Sequence, residues 1–516
     1  MKLDYKKTLF VGFAFFLISA FWQAYDTIIP KILTDKFGMQ QSLSGIIMAL
    51  DNILALFLLP LFGTLSDKCR SRRGRRTPFI LAGTIVAAFA LIALSFADDL
   101  QLKQLADVDI ANPAAQENLY EADLTVTTPD GEMVRICDRF TKTEYTSIAM
   151  TVTDAAGKSV TNPDYTDYVV PARQLYARNA TLQNPAPVIV FICILLILLL
   201  AMSTFRSPAV ALMPDVTIKP LRSKANAVIN LMGAAGGIIV LILGMVFGTG
   251  KAENALMAYM PFFLVIAGLM LAALAIFRLR VNEPRLVAEM QEESRRFGLE
   301  DGPDDEEAAS GTRGLSRGEK VSLGLILASV VLWYMGYNAV TSKYSVYAGK
   351  VLDLDYNMTL TIATAAAIVS YLPVGLIASR VGRKKTILAG VVILAGAFLA
   401  ASFLRAGSSA LLMNILFVLA GIGWATINVN SYPMVVELSR GSNVGKYTGF
   451  YYTASMAAQT VTPVLSGVFL DWRMTSLFPY GAIFVGLAFV TMLFVRHGDS
   501  RPTPAKSRLE AFSDAD

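Results

Sequence analysis

Two stretches of this chain repeat one another. Pro60 to Gly83 reads PLFGTLSDKCRSRRGRRTPFILAG, and Pro373 to Gly390 reads PVGLIASRVGRKKTILAG. In each, a Pro and a Gly close one long apolar run, a short basic turn follows, and the next run opens on Ile-Leu-Ala-Gly. Repetition at this separation makes the chain two related halves, and the flanking runs place both halves in a bilayer. Paired halves of this kind are how alternating-access transporters are built.

A bilayer-spanning helix needs roughly 20 mostly apolar residues, and about twelve stretches qualify. They are 8–30, 42–64, 77–97, 187–205, 224–248, 257–279, 321–342, 358–379, 386–404, 409–430, 446–468 and 476–496. Only 16% of the 516 residues are charged, against about 25% in a soluble protein. The runs are too long and too continuously apolar for barrel strands. The expected fold is an all-α membrane protein with twelve transmembrane helices in two six-helix halves. Residues 1–97 and 187–279 make the first half and 321–496 the second. Residues 98–186 form an insert, 280–320 a flexible, partly acidic cytoplasmic linker, and 497–516 a cytoplasmic tail.

Basic residues set the orientation. With the N-terminus inside, Arg70, Arg72, Arg73, Arg75 and Arg76 face the cytoplasm, as the positive-inside rule requires. The net charge of +5 therefore reports topology, and no nucleic-acid partner is expected. The first run follows Lys6 and Lys7, is too long for a signal-peptide core, and reads as a permanent span. Cys69, Cys137 and Cys193 fall at three different depths, so no disulfide and no metal-ligand spacing arises. The single histidine, His497, sits in the tail. Neither enzymatic activity nor a cofactor is expected.

The insert carries Pro129-Asp-Gly131 between strand-like runs at Asp123–Thr128 and Glu132–Cys137, with another alternating run over Ser147–Thr153. It reads as a small β-rich extracytoplasmic unit with a hairpin. A second correspondence ties the halves together. Asp215 and Glu437 each stand nine residues before a lysine, Lys224 and Lys446, on the cytoplasmic side.

Asp67 ends the second span, and Arg75 and Arg76 precede the third. A carboxylate there can accept hydrogen bonds from arginine and from a helix N-terminus. With Arg380 and Arg383 at the matching place in the second half, and Asp215 and Glu437 nearby, these residues are candidates for a cytoplasmic gate. Plain topology-setting charge is the simpler reading of any one of them. Arg206 and Arg440, which flank the same loops as Asp215 and Glu437, read as second-tier gate charges, with ordinary solvated loop charges the alternative.

Gly63-Thr-Leu-Ser-Asp67 through Gly74-Arg-Arg76 resembles the loop motif of the major facilitator superfamily. The longer SDKCRSRRGRRTPFIL, with Arg206–Asp215 and Gly445–Gly467, is similar to the sucrose-transporter-like branch and to the glycoside–pentoside–hexuronide cation symporters. That resemblance implies a cation-coupled sugar transporter. Sodium-coupled relatives carry two acids on the second helix where this chain has Ala55 and Leu59, so coupling falls to other carboxylates.

Asp26 and Asp51 are the candidates. Each lies within an apolar run, and acids inside a membrane are costly and by default functional. Asp26 is about 18 residues along an outward-running helix and Asp51 about nine along an inward-running one, so both fall in the outer half of the bilayer. A structural cap or interhelical bond is the alternative for either. Sugars offer hydroxyls to amides and apolar faces to aromatic rings. Trp22, Gln23 and Asn52, then Trp333, Tyr337 and Asn338, then Trp424, Asn428, Tyr452 and Gln459 are the candidate binding residues, with Asn338 the strongest single choice. Interfacial belts and helix–helix contacts are the competing roles. The expected function is proton-coupled symport of an oligosaccharide or glycoside by a monomer in the cell membrane. Uniport, export of an amphipathic compound, or a transporter-like sensor are the alternatives.

Overall fold

The computed structural model describes residues 3–127, 132–153, 159–249, 254–297, 315–347, 352, 356–405, 408–439 and 443–499. The first half of the chain contributes α1 (Tyr5–Lys31), α2 (Gln41–Lys68) and α3 (Thr77–Gln104). A helix α4 (Val170–Gln183) precedes α5 (Ala186–Asp215), α6 (Arg222–Phe247) and α7 (Met260–Arg280). After α8 (Glu283–Arg296) come α9 (Arg317–Tyr347), α10 (Tyr356–Val381), α11 (Arg383–Ala401), α12 (Ala410–Val436), α13 (Val444–Trp472) and α14 (Leu477–Leu493). Ten of the helices in the described residues are long and apolar enough to cross a membrane, and α14 is a shorter apolar one. The chain is a multi-pass membrane protein.

The helices outrun the apolar stretches. α1 continues through a π-helical turn at Ile32–Lys36, α5 runs to Asp215 with Pro208 and Pro214 inside it, and α12 runs to Val436 with Pro433 inside. Neighbouring helices and side chains supply partners for backbone groups that prolines leave free, so a spanning helix tolerates them. The stretch read as a flexible linker begins with structure. Asn282 caps α8 by accepting from the Arg285 N–H at 3.3 Å, and the acidic run 300–307 lies outside the described residues.

Packing repeats between the halves. α1 packs on α6 and α7, α3 on α5 and α7, and α2 on α5. Likewise α9 packs on α13 and α14, α11 on α12 and α14, and α10 on α12. The halves meet through α2 against α13 and, in the mirrored place, α10 against α6.

Residues 98–186 hold more helix than strand. The two antiparallel hairpins have three-residue strands, Thr125–Thr127 with Met133–Arg135 and Thr151–Thr153 with Ser159–Thr161. The Pro129–Gly131 turn lies outside the described residues. Short helices at Ala115–Glu121, Ile136–Arg139 and Lys142–Thr146 replace much of the expected strand, the second of them taking over where the run to Cys137 was to continue. Val108, Leu119, Val126, Ile136, Tyr145 and Val169 give this unit its own buried core. It docks on the end of α1: Gln174 donates to Asp35 at 3.0 Å, and Gln101 donates to the Lys36 carbonyl at 2.8 Å and to Thr181 at 3.0 Å.

Candidate functional site: a central cavity closed at one end

A cavity of about 1090 Å³ lies between the halves. Its walls come from α1, α2, α5 and α6 and from their counterparts α9, α10, α12 and α13. The lining reaches Gly45 and Ile46 in the first turns of α2 and stops at Val210, Asn226 and Tyr432, short of the basic loops.

The wall from the first half is polar. Asp26, Asp51, Gln23 and Asn52 line it, and Trp22 stands beside them. Arg206 projects into the same space. Its guanidinium lies 5.1 Å from the Trp22 ring and 5.0 Å from the Tyr452 ring, so one cation bridges aromatic faces from both halves. Asp26, Asp51 and Arg206 are within electrostatic reach of one another. One carboxylate oxygen of Asp51 and Nε of Arg206 are buried without a protein partner. Buried polar atoms of this kind call for a partner from a substrate, a proton or water.

The opposite wall is aromatic. Tyr337 stacks on Trp424 with ring centroids 3.8 Å apart and planes at 2°, and Tyr334 meets the same indole edge-on at 5.1 Å. Asn428, Tyr452 and Gln459 complete it. Amides on both walls, with rings concentrated on one, suit a ligand with hydroxyl edges and apolar faces.

Two of the expected binding residues are elsewhere. Trp333 is fully buried among core side chains, and Asn338, half-buried, is not part of the lining. On α9 the cavity is met by Tyr334 and Tyr337, one helical turn apart, and Trp333 sits about 100° away around the helix. Arg206 is the opposite case. It belongs in the cavity rather than in a loop, because α5 continues nine residues beyond it.

The end bearing the basic loops is sealed by charge. Arg76 is fully buried and donates to Asp67 at 2.5 Å and to Asp215 at 2.8 Å, while Arg75 donates to Asp215 at 2.7 Å. Asp67 in turn accepts from the backbone N–H groups of Gly445 and Lys446, both at 2.9 Å, at the N-terminus of α13 in the other half. The second half mirrors this. Arg383 donates to Glu437 at 2.8 Å, to Ser223 at 2.9 Å and to the Lys219 carbonyl at 2.5 Å, which reaches the N-terminus of α6. Burial pushes the Glu437 carboxyl up, but Arg383 and Arg222 beside it hold it below the ordinary range, so it stays ionised at neutral pH. Arg380 is exposed and has no ionic partner among the described residues. Each candidate gate residue except Arg380 therefore falls in one of the two clusters.

Two further carboxylates complete the clusters. Glu283 accepts from the N–H groups of Arg75, Arg76 and Thr77 at 2.8 to 2.9 Å and closes the N-terminus of α3. Asp499 accepts from the Arg383 N–H at 2.7 Å and closes α11. Gly74 and Gly382 both take φ +102°, a conformation that favours glycine, and each packs directly on the capping carboxylate. Among the described residues no group of three or more His, Cys, Asp or Glu side chains is placed to hold a metal ion.

Residues 353–514 match the family model described as Major Facilitator Superfamily, and residues 10–102 match the one described as MFS/sugar transport protein. The sucrose transport protein SUT4 of Oryza sativa subsp. indica is 40% identical over 71 residues, 14% of this chain and 12% of that protein. The human proton-associated sugar transporter A is 36% identical over 105 residues, 20% of this chain and 14% of that protein. The matches thus span a small part of either relative. The crystal structure of the transporter FucP in its outward conformation superposes with a TM-score of 0.55 at 12% identity, covering 96% of this chain and all of that one. That likeness shows the fold.

Proposed function

We propose that the chain is a member of the major facilitator superfamily, whose models match part of each half, and that it is a secondary transporter for a sugar, an oligosaccharide or glycoside, driven by protons through alternating access. The observation that carries this is the central cavity, with paired carboxylates on one wall and stacked rings on the other, sealed at the basic end and lined as far as the first turns of α2 at the other. All twelve long helices cross the cell membrane in two six-helix halves, both termini face the cytoplasm, and residues 98–186 lie outside. The working unit is a monomer. The sugar relatives support the substrate class, and human proton-associated sugar transporter A supports the choice of cation.

In this mechanism sugar enters the outward-facing cavity, with its hydroxyls on Gln23, Asn52, Asn428 and Gln459 and a ring face against the aromatic wall. Asp26 and Asp51 share the proton. Arg206 stabilises whichever of them is ionised, so loading with proton and sugar together favours closure. The arginine clusters then separate and the cavity opens to the cytoplasm.

Purified protein in proteoliposomes tests this with labelled mono- and disaccharides, with and without an inward proton gradient. Uptake above equilibrium that collapses with the gradient is expected. Uptake that only equilibrates, gradient or not, would establish uniport instead, and sugar binding without any flux would favour a sensor. Asp26→Asn is expected to reduce gradient-driven accumulation by about tenfold or more while sparing sugar exchange, the effect of losing a proton site rather than a sugar site. Undiminished accumulation by that variant would remove Asp26 from coupling.

A further inference from the structure

Three prolines in the helices around the cavity sit four residues after a carbonyl that the opposite half of the protein binds. In a regular helix the N–H of residue i bonds to the carbonyl of residue i−4, and proline has no N–H to give. Pro214 in α5 therefore frees the Val210 carbonyl, Pro433 in α12 frees that of Val429, and Pro60 in α2 frees that of Leu56. The Tyr432 hydroxyl donates to the Val210 carbonyl at 3.0 Å, and the Asn226 amide donates to the Val429 carbonyl at 2.7 Å. The Thr453 hydroxyl reaches the Leu56 carbonyl at 3.3 Å. Each of the three bonds runs from one half of the protein to the other.

We propose that Pro214 and Pro433 act as positioning residues of an inner gate, exposing carbonyls that Tyr432 and Asn226 grip only while the cytoplasmic end is closed. Both gripping side chains line the cavity, and both are almost fully buried at 4% and 3% exposure. They form its floor, between the cavity and the arginine clusters. Tyr432 is also within 3.0 Å of the Thr448 hydroxyl, and Thr448 stands two residues after Lys446 as Asn226 stands two after Lys224. Asn226 grips a carbonyl directly, whereas its counterpart Thr448 contacts the hydroxyl of the gripping Tyr432.

The chemistry suits a reversible contact. A carbonyl engaged by its own helix has little to gain from a side chain, whereas one freed by proline is unsatisfied unless something reaches it. In the closed floor the other half supplies that donor. When the halves part, the floor becomes a wetted passage and water takes over, so neither state strands the group. Helix-breaking residues here serve the transition between two states rather than the shape of either one.

The inference rests on alternating access but not on the identity of sugar or cation, and its test uses neither. A reporter, Ala234→Cys in the cavity wall, is placed in protein whose three native cysteines are changed to serine. Its reaction with a membrane-impermeant maleimide is timed in inside-out vesicles. Tyr432→Phe should speed labelling from the cytoplasmic face about threefold to tenfold, the population change that accompanies loss of one buried hydrogen bond. Pro214→Ala should do the same, because its restored N–H recaptures the Val210 carbonyl. The double variant should label no faster than either single one, since both remove the same bond. The pair Asn226→Ala and Pro433→Ala repeats the cycle on the other carbonyl and serves where one variant does not fold. Unchanged labelling in the single variants, or strictly multiplicative rates in both double variants, would overturn the proposal. A failure of sugar uptake in the parent protein would leave these rates readable and bear on the function alone.

Discussion

Lys36→Met is expected to destabilise the folded protein by about 3–5 kcal/mol, the usual consequence of stranding one member of a buried ion pair. Lys36 and Asp98 are both completely buried, 2.6 Å apart. The ammonium also donates to the Met257 carbonyl at 2.7 Å and lies 4.3 Å above the Tyr259 ring, while the Tyr259 N–H donates to Asp98 at 3.3 Å. These contacts join the end of α1, the end of α3 and the chain entering α7. With Lys36 gone, the Asp98 carboxylate has neither water nor a cation. The double variant Lys36→Met, Asp98→Leu should recover most of the loss, because an apolar pair of similar volume removes the desolvation cost together with the attraction. Thermal unfolding in detergent measures both. A single variant that melts with the parent would show that the pair carries no such weight.

Gly63→Val is expected to cut transport by about tenfold or more while the protein still folds. Gly63 of α2 and Gly445 of α13 touch backbone to backbone, and a Cβ on either would run into the carbonyl oxygen of the other. Gly445 also packs against Asp67 and Arg76, so the crowding falls inside the first charge cluster. Overpacking of this sort costs about 1–3 kcal/mol, and 1.4 kcal/mol already shifts a population tenfold. In the proposed alternating-access cycle this strain exists only while α2 and α13 are pressed together, so it would penalise closure of the end bearing the basic loops and spare the open state. Initial uptake rates in proteoliposomes, beside gel-filtration profiles that match the parent, measure the effect. Uptake at the parent rate would mean that the two helices need not approach so closely.

The charge clusters were legible because the chain states them twice. Arg76 and Arg383 stand four residues before Ile80 and Ile387 of the repeated Ile-Leu-Ala-Gly, and both are buried donors to an acid from the Asp215 or Glu437 position. Arg206 was not legible. Hydropathy ends a span at the first charge, and nothing in the sequence says that α5 continues to Asp215 with the arginine facing inward. Lys36 and Asp98 were missed for the same reason, each lying just beyond a run that hydropathy closes at residues 30 and 97. On α9 the difficulty was rotational. Trp333, Tyr334, Tyr337 and Asn338 crowd two turns of one helix, and which of them faces the cavity depends on where α13 and α14 pack against it. Glu283 and Asp499 act on backbone N–H groups across a gap of about two hundred and about one hundred residues, respectively, and local pattern carries no trace of such a bond.

The folded unit of residues 98–186 has a practical meaning. Its described hydrogen bonds to the helix bundle, Gln174 to Asp35 and Thr181 to Gln101, fasten it to the end of α1 and to α3, both of the first half. In the proposed alternating-access cycle it would therefore serve as a handle on one of the two halves. An antibody fragment raised against it would add a landmark for electron microscopy while leaving the opposite half free to swing. A fluorophore on the same unit, paired with a second on α14, would read that swing as a change in energy transfer.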